Sequence, residues 1–189
     1  AAVRITGGAW AKRRLTGPSA SSAIRPTPDA LREQAFAVLA PWLARAVFLD
    51  LDGANYSRHL RGAASEWGIV VAASLASYLT IEQRQVVGLA SNGIDAPSGA
   101  RCWTIPPRPG RTHLMKLLEW LARVQLADTT PLAEWLPTAT ADLPWGTTVI
   151  ALTPSGDEAI CAALHRLRRA GLNPVLMVTE PYAHFVYEL

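Results

Sequence analysis

The 189 residues are half apolar and 17% charged, with a net charge of +3, a balance that suits one sizeable core and excludes disordered, collagenous and disulfide-stapled chains. Two cysteines, Cys102 and Cys161, exclude a paired-cysteine zinc site and point to a reduced, cytoplasmic setting. The longest strongly apolar stretch, Gly68 to Leu79, is about half of what a bilayer crossing requires, and no basic-then-apolar leader opens the chain, so no membrane insertion is expected. Charge is uneven: residues 1–50 carry seven Arg and Lys against three Asp and Glu, while the remainder is slightly acidic. The first quarter is therefore where a polyanion would be met.

In chain order, Val3 to Ile5 and Arg13 to Leu15 read as two short strands joined by a glycine-bearing loop. Thr27-Pro28 opens a helix whose buried face is Ala30, Ala35, Phe36, Val38 and Leu39, ending near Pro41. Ala46 to Leu49 is a continuous apolar run, as in a strand buried on both faces. A helix from Ala63 to Leu79 follows, then a strand from Val86 to Ala90, a turn at Ser91-Asn92-Gly93 and a short strand from Cys102 to Ile105. Helices are expected over Thr112 to Val124 and Leu132 to Leu136, then a strand over Thr148 to Leu152. A helix over Asp157 to Ala170, stopped by Gly171, leads to a last strand from Pro174 to Val178. Such alternation predicts a Rossmann-like α/β layered fold with a mostly parallel sheet, preceded by a short hairpin and helix. Ligands in these sheets sit at the carboxyl ends of strands, here after Leu49, Ala90, Thr153 and Val178.

The end of the first buried strand holds Asp50 and Asp52, two carboxylates at a spacing that can present both to a divalent cation or a phosphoryl group. Three readings stand side by side. Phe48-Leu49-Asp50-Leu51-Asp52-Gly53 resembles the nucleophile motif of haloacid-dehalogenase-type phosphatases, with Ser91-Asn92-Gly93 and Gly156-Asp157-Glu158 imitating two further motifs, although neither Lys12 nor Lys116 falls where that family has its lysine. Asp50, Asp52 and Ala54 align with the Asp-x-Ser-x-Ser metal site of von Willebrand factor A domains, one hydroxyl replaced by a carboxylate and the other lost. The third reading has both carboxylates capping amides at the strand tip. The histidines at 59, 113, 165 and 184 lack metal spacing and read as surface or packing residues. Trp67 and Trp120 are expected in the core, while Trp10, beside Lys12, Arg13 and Arg14, can stack on a base.

Two family resemblances divide the chain at about residue 46. Residues 47–189 resemble the bacterial domain of unknown function 58 family, which is von Willebrand A-like, through Val47 to Asp52, Ala72 to Ala76, Val87-Gly88-Leu89, Ile105 to Arg111, Leu117 to Ala122, Trp145-Gly146-Thr147 and Leu167 to Gly171. That resemblance implies a non-catalytic protein-interaction domain, often found with MoxR-type ATPases, with Arg108 and Arg111 available to grip an acidic partner. Residues 1–49 resemble the N-terminal segment of the RsmD family of small-subunit rRNA guanine-N2 methyltransferases, through Arg4-Ile5, Gly7-Gly8, Arg13-Arg14-Leu15, Arg25-Pro26-Thr27, Asp29, Arg32-Glu33 and Phe36. This implies RNA contact by Arg4, Lys12, Arg13, Arg14 and Arg25. In that family the segment leads into Leu-Asp-Leu-Phe-Ala-Gly-Ser-Gly, the S-adenosylmethionine loop; here Leu49 is followed by Asp50-Leu51-Asp52-Gly53-Ala54-Asn55-Tyr56. A basic arm on an interaction domain is the expected function, with an S-adenosylmethionine-dependent rRNA methyltransferase as the alternative and a phosphatase using Asp50 and Asp52 behind it.

Overall fold

The computed structural model describes residues 44–179, together with the backbone of two short strands, β1 (Ala2–Arg4) and β2 (Arg14–Thr16). The chain divides into two compact units, residues 1–42 and 43–189. In the first unit β1 and β2 pair antiparallel, with Arg4 opposite Arg14, as the reading of two short paired strands requires. The helix expected from Thr27 to Pro41, and Trp10, Lys12, Arg13, Arg25 and His184, lie outside the described residues.

The second unit is built on a six-stranded sheet. Its central strand β3 (Arg45–Leu49) lies parallel between β4 (Val87–Asp95) and β7 (Thr148–Thr153), and β8 (Asn173–Val178) extends the parallel part beyond β7. On the other side, β5 (Arg101–Arg108) and the two-residue β6 (Val124–Gln125) pair antiparallel with β4. Strand alternation sorts side chains between two helical layers. Val47 and Leu49 of β3 and Ile150 and Leu152 of β7 join the core cluster on one face. That face is covered by α1 (Arg61–Ile81) and α2 (Arg111–Leu121). Ala46 and Phe48, with Val149 and Ala151, face α3 (Leu132–Ala139) and α4 (Glu158–Arg169). A central strand wedged between helices must be apolar on both sides, which is why residues 46–49 form an unbroken run.

Several elements differ from the sequence reading, each for a tertiary reason. Ser91-Asn92-Gly93 is the interior of β4, not a turn. The Asn92 amide finds its partners across the sheet, and Gly93 is needed because a Cβ there would meet the Gln125 carbonyl oxygen at 2.8 Å. The chain reverses instead after Asp95, whose carboxylate accepts from the backbone amide and hydroxyl of Ser98. Pro106 and Pro107 belong to β5, an edge strand that tolerates missing donors. The expected loop from Pro106 to Arg111 thereby shrinks to Pro109-Gly110, with Arg108 closing β5 and Arg111 opening α2, both exposed. The α2 helix stops at Leu121, and Val124 pairs in β6. Gly171, at φ +89°, ends α4 as expected.

Helix α1 departs most. It runs 21 residues, of which the most apolar 18 average a hydropathy of 1.3, long and apolar enough to cross a membrane by length and composition, so the expectation of too short an apolar stretch is corrected. Its buried residues are small: Ala64, Ser65, Gly68, Ala72 and Ala76. Trp67, expected in the core, is 57% exposed. Trp120 is half-buried and stacks on buried Trp103, ring centroids 4.1 Å apart, with the Arg123 guanidinium 5.0 Å from the Trp120 centroid.

His113, in the first turn of α2, is buried, and its Nε2 lies 2.9 Å from the Val87 carbonyl oxygen, so the neutral Nε2–H tautomer donates there. Burial lowers its pKa below the usual 6.5, the Val87 bond pulls it partly back, and Arg108 and Lys116 push it down again. Because the folded value is the lower one, this histidine's contribution to stability is present above about pH 6.5 and is lost as pH falls through the folded value. Urea unfolding from pH 8 to pH 5 is expected to show that decline, and His113→Gln, which keeps a donor toward Val87, is expected to remove it.

Candidate functional site

Strand β3 is central and ends at Leu49, so residues 50–56 emerge at the carboxyl edge of the sheet, between the tips of β4 and β7. This is the topological switch point, since the chain leaves β3 toward β4 on one side and later returns to β7 on the other. Asp50 sits there almost completely buried. Its Oδ1 accepts from Asn92 Nδ2 at 2.8 Å and from the Asp52 amide at 3.2 Å. Its Oδ2 accepts from the Thr153 hydroxyl at 2.9 Å and from Asn55 Nδ2 at 3.0 Å. Four donors thus meet a carboxylate with about four acceptor positions. Burial pushes the Asp50 carboxyl above its usual value, and the bonds from Asn92, the Asp52 amide, Thr153 and Asn55 pull it partly back.

Asn92 is equally committed: its Oδ1 accepts from the Leu51 amide at 2.7 Å, and its Nδ2 also reaches the Thr130 carbonyl at 3.0 Å. Tyr56 donates its hydroxyl to the Asp50 carbonyl oxygen at 2.6 Å. Asp52, also buried, is the N-cap of a single 3₁₀ turn, Gly53–Asn55. Its carboxylate accepts from the Ala54 amide at 3.4 Å and from the Thr129 amide at 3.2 Å, tying the strand tip to the 127–131 loop. Beyond that loop a polar cleft of about 350 Å³ opens, lined by Arg101, Cys102, Asp128, Thr129, Thr130 and Glu134. Cys102 there holds φ +51°, uncommon for a residue with a side chain.

The two carboxylates therefore serve different donors: Asp50 takes Asn92 of β4, Thr153 at the end of β7, the Asp52 amide and the Asn55 side chain, and Asp52 takes the Ala54 and Thr129 amides. Of the three sequence readings, this arrangement matches amide capping for Asp52. Among the described residues no group of three or more His, Cys, Asp or Glu side chains is placed to hold a metal ion. The phosphatase-like residues are engaged elsewhere: Ser91 Oγ accepts from the Gly93 amide and Asp157 caps α4 through the Ile160 amide. Lys116 is exposed on α2. Sequence reasoning missed Asn55, Asn92 and Thr153. An asparagine inside an apolar strand and a threonine at a strand tip were the available signals.

Whether S-adenosylmethionine fits here turns on free backbone donors, because cofactor loops of this kind work through exposed amides. From Leu51 to Tyr56 the amides are all taken: Leu51 by Asn92 Oδ1, Asp52 by Asp50, Gly53 by the Ala127 carbonyl at 2.9 Å, Ala54 by Asp52, Asn55 by the Asp52 carbonyl and Tyr56 by the Gly53 carbonyl. Each of these amides thus has an acceptor within the chain, those of Ala54 and Tyr56 at 3.4 Å.

None of the curated proteins matches the chain. The family model described as conserved hypothetical protein 95 matches residues 3–57, which supports the RsmD-like reading of that segment and carries the match through β3 and the loop after it.

Proposed function

We propose that the chain binds RNA through its methyltransferase-type N-terminal segment and does not transfer a methyl group, the α/β unit serving as an interaction scaffold. The family match over residues 3–57 carries only the RNA-binding part of this reading, because it spans Arg4, Lys12, Arg13, Arg14 and Arg25; where it runs on through β3 and the following loop it backs the methyltransferase alternative better than the scaffold. Cations at this density suit phosphate contacts that position an RNA without reading its sequence. The domain of unknown function 58 kind of interaction domain rests on the sequence resemblance of residues 47–189 alone, the layered unit itself being a Rossmann-like α/β sheet. Its protein partner would then be an acidic surface meeting Arg108 and Arg111, a MoxR-type ATPase being the one that resemblance implies. An intracellular setting belongs to the same reading.

The reading expects salt-dependent binding of a structured RNA by the full chain. Replacing Lys12, Arg13 and Arg14 together by serine is expected to weaken it at every sequence tested and to flatten the salt slope by roughly one per cation lost. Unchanged affinity and slope would remove the arm from the interface. A second reading, a working rRNA methyltransferase, is favoured by the continuation of the family match through the cofactor-loop position to residue 57. Calorimetric titration separates the two: S-adenosylmethionine is expected to give no heat of binding, and one-to-one micromolar binding would put the methyltransferase first.

A further inference from the structure

Helix α1 places its small residues on the sheet and turns large apolar ones outward. No charged residue occurs from Trp67 to Ile81. Within that span Trp67, Val70, Tyr78 and Ile81 are 57, 50, 53 and 49% exposed, and Leu60, at the helix N-cap, is 48% exposed. With exposed Ser74 they occupy one narrow stripe, since 60, 67, 74 and 81 are one heptad apart and 70 and 78 flank 74 at four residues on either side. Apart from Leu60, the stripe is also palindromic. Trp67 and Ile81 lie seven residues either side of Ser74, as Val70 and Tyr78 lie four.

We infer that this stripe is the contact between two copies of the chain, with the α1 helices antiparallel across a two-fold axis at Ser74. That axis sets Trp67 against the other copy's Ile81 and Val70 against its Tyr78, and the small Ser74 pair at the centre lets the helices approach. The isologous geometry of a two-fold dimer requires such self-complementarity. Trp67, Val70, Tyr78 and Ile81, which meet across the axis, present on the order of 400 Å² per copy, taking about half of each as exposed. These side chains alone then bury roughly 800 Å² in two copies, and the small residues between them, exposed Ser74 included, add toward the about 1,000 Å² that a specific interface clears. A contiguous apolar patch of several hundred Å² is about the largest a monomer leaves exposed, and such patches often mark a contact. A lipid surface suits the stripe less well, because the helix offers no Lys or Arg between Arg61 and Arg84 and is bounded by Glu66 and Glu82.

Sedimentation of the full chain from low to about 100 µM is expected to show a monomer–dimer equilibrium, which Ser74→Arg weakens by about tenfold or more by facing two like charges across the axis. Ser74 is exposed, and an unchanged circular dichroism spectrum checks that the variant is folded. Ser74→Cys with Cys161→Ser is expected to cross-link into a dimer on mild oxidation, because only residues close to the two-fold axis meet the Cα separation a disulfide needs. Cys161, exposed on α4 in the opposite layer, is the internal control and is expected to stay unlinked in the unaltered chain. A monomer throughout that range overturns the proposal. So does a dimer that Ser74→Arg leaves intact and Ser74→Cys does not cross-link. Flotation of the chain with phosphatidylcholine vesicles that is lost in Trp67→Ser would make lipid the occupant and also overturn it.

Discussion

Asp50→Ala is expected to destabilise the chain by about 3 kcal/mol, and Asp50→Asn by under about 1 kcal/mol, although both remove the same charge. The difference lies in which donors can find another partner. In the alanine variant Thr153 can turn its hydroxyl hydrogen to the Ser155 carbonyl oxygen, 3.1 Å away, and half-buried Asn55 can reach water. The Asp52 amide and one Asn92 N–H cannot, and each buried orphan costs about 1–3 kcal/mol. An asparagine keeps an oxygen toward those two. Its amide nitrogen faces Thr153, which can accept once its own hydrogen has gone to Ser155, and Asn55, which can flip. Urea unfolding at constant m-value measures both variants.

The pH profile adds a sign. Burial raises the folded Asp50 value above the ordinary 3.8, so this group's contribution to stability is present below about pH 3.8 and is lost as pH rises through the folded value. Asp50→Asn is expected to remove that decline. The slope is opposite to that of His113, so the two groups are separable in their single variants. Equal losses for Asp50→Ala and Asp50→Asn would mean that the four-donor cage does not hold the carboxylate.

What the sequence made legible follows from how local each signal is. Strands β3 and β7 stood out because Ala46 to Leu49 and Val149 to Leu152 are unbroken apolar runs, as suits strands between two helical layers, and Gly171 stood out because a helix stop is written within a few residues. Asn92-Gly93 misled because the same dipeptide that favours a tight turn also suits a strand in which glycine admits a neighbouring backbone and asparagine reaches across the sheet. Helix α1 misled differently. Its phase is written in side-chain size, with alanine and glycine inward and tryptophan and tyrosine outward, so hydropathy alone pointed Trp67 to the wrong side. The position of Asp50 at a strand tip was readable, but its partners Asn92 and Thr153 are distant in sequence and meet it only through the parallel order of the sheet.

Phe48→Ala is expected to cost about 3–5 kcal/mol, and Phe48→Leu less than about 2. Phe48 is 1% exposed on β3, with its ring edge-on to Trp135 of α3, centroids 6.1 Å apart and planes at 63°. The strand beneath it cannot relax, because β4 and β7 hold it in parallel register on both sides. Phe48 already forms one wall of a cavity of about 270 Å³ that reaches Thr104 and Asp142. Truncation would enlarge this existing space instead of opening a sealed void. Water admitted past Asp142 would meet Ala46, Ala90 and Leu143 around the truncated side chain, whose side chains offer it no polar partner, so it could not repay the lost contacts. Leucine fills most of the volume and keeps the site dry. Thermal unfolding is expected to separate the variants clearly, since 1 kcal/mol shifts the midpoint by about 2–4 °C in a chain of this size. A Phe48→Ala loss no larger than that of Phe48→Leu would mean that α3 collapses onto the sheet, and that the layer over Phe48 is looser than its burial implies.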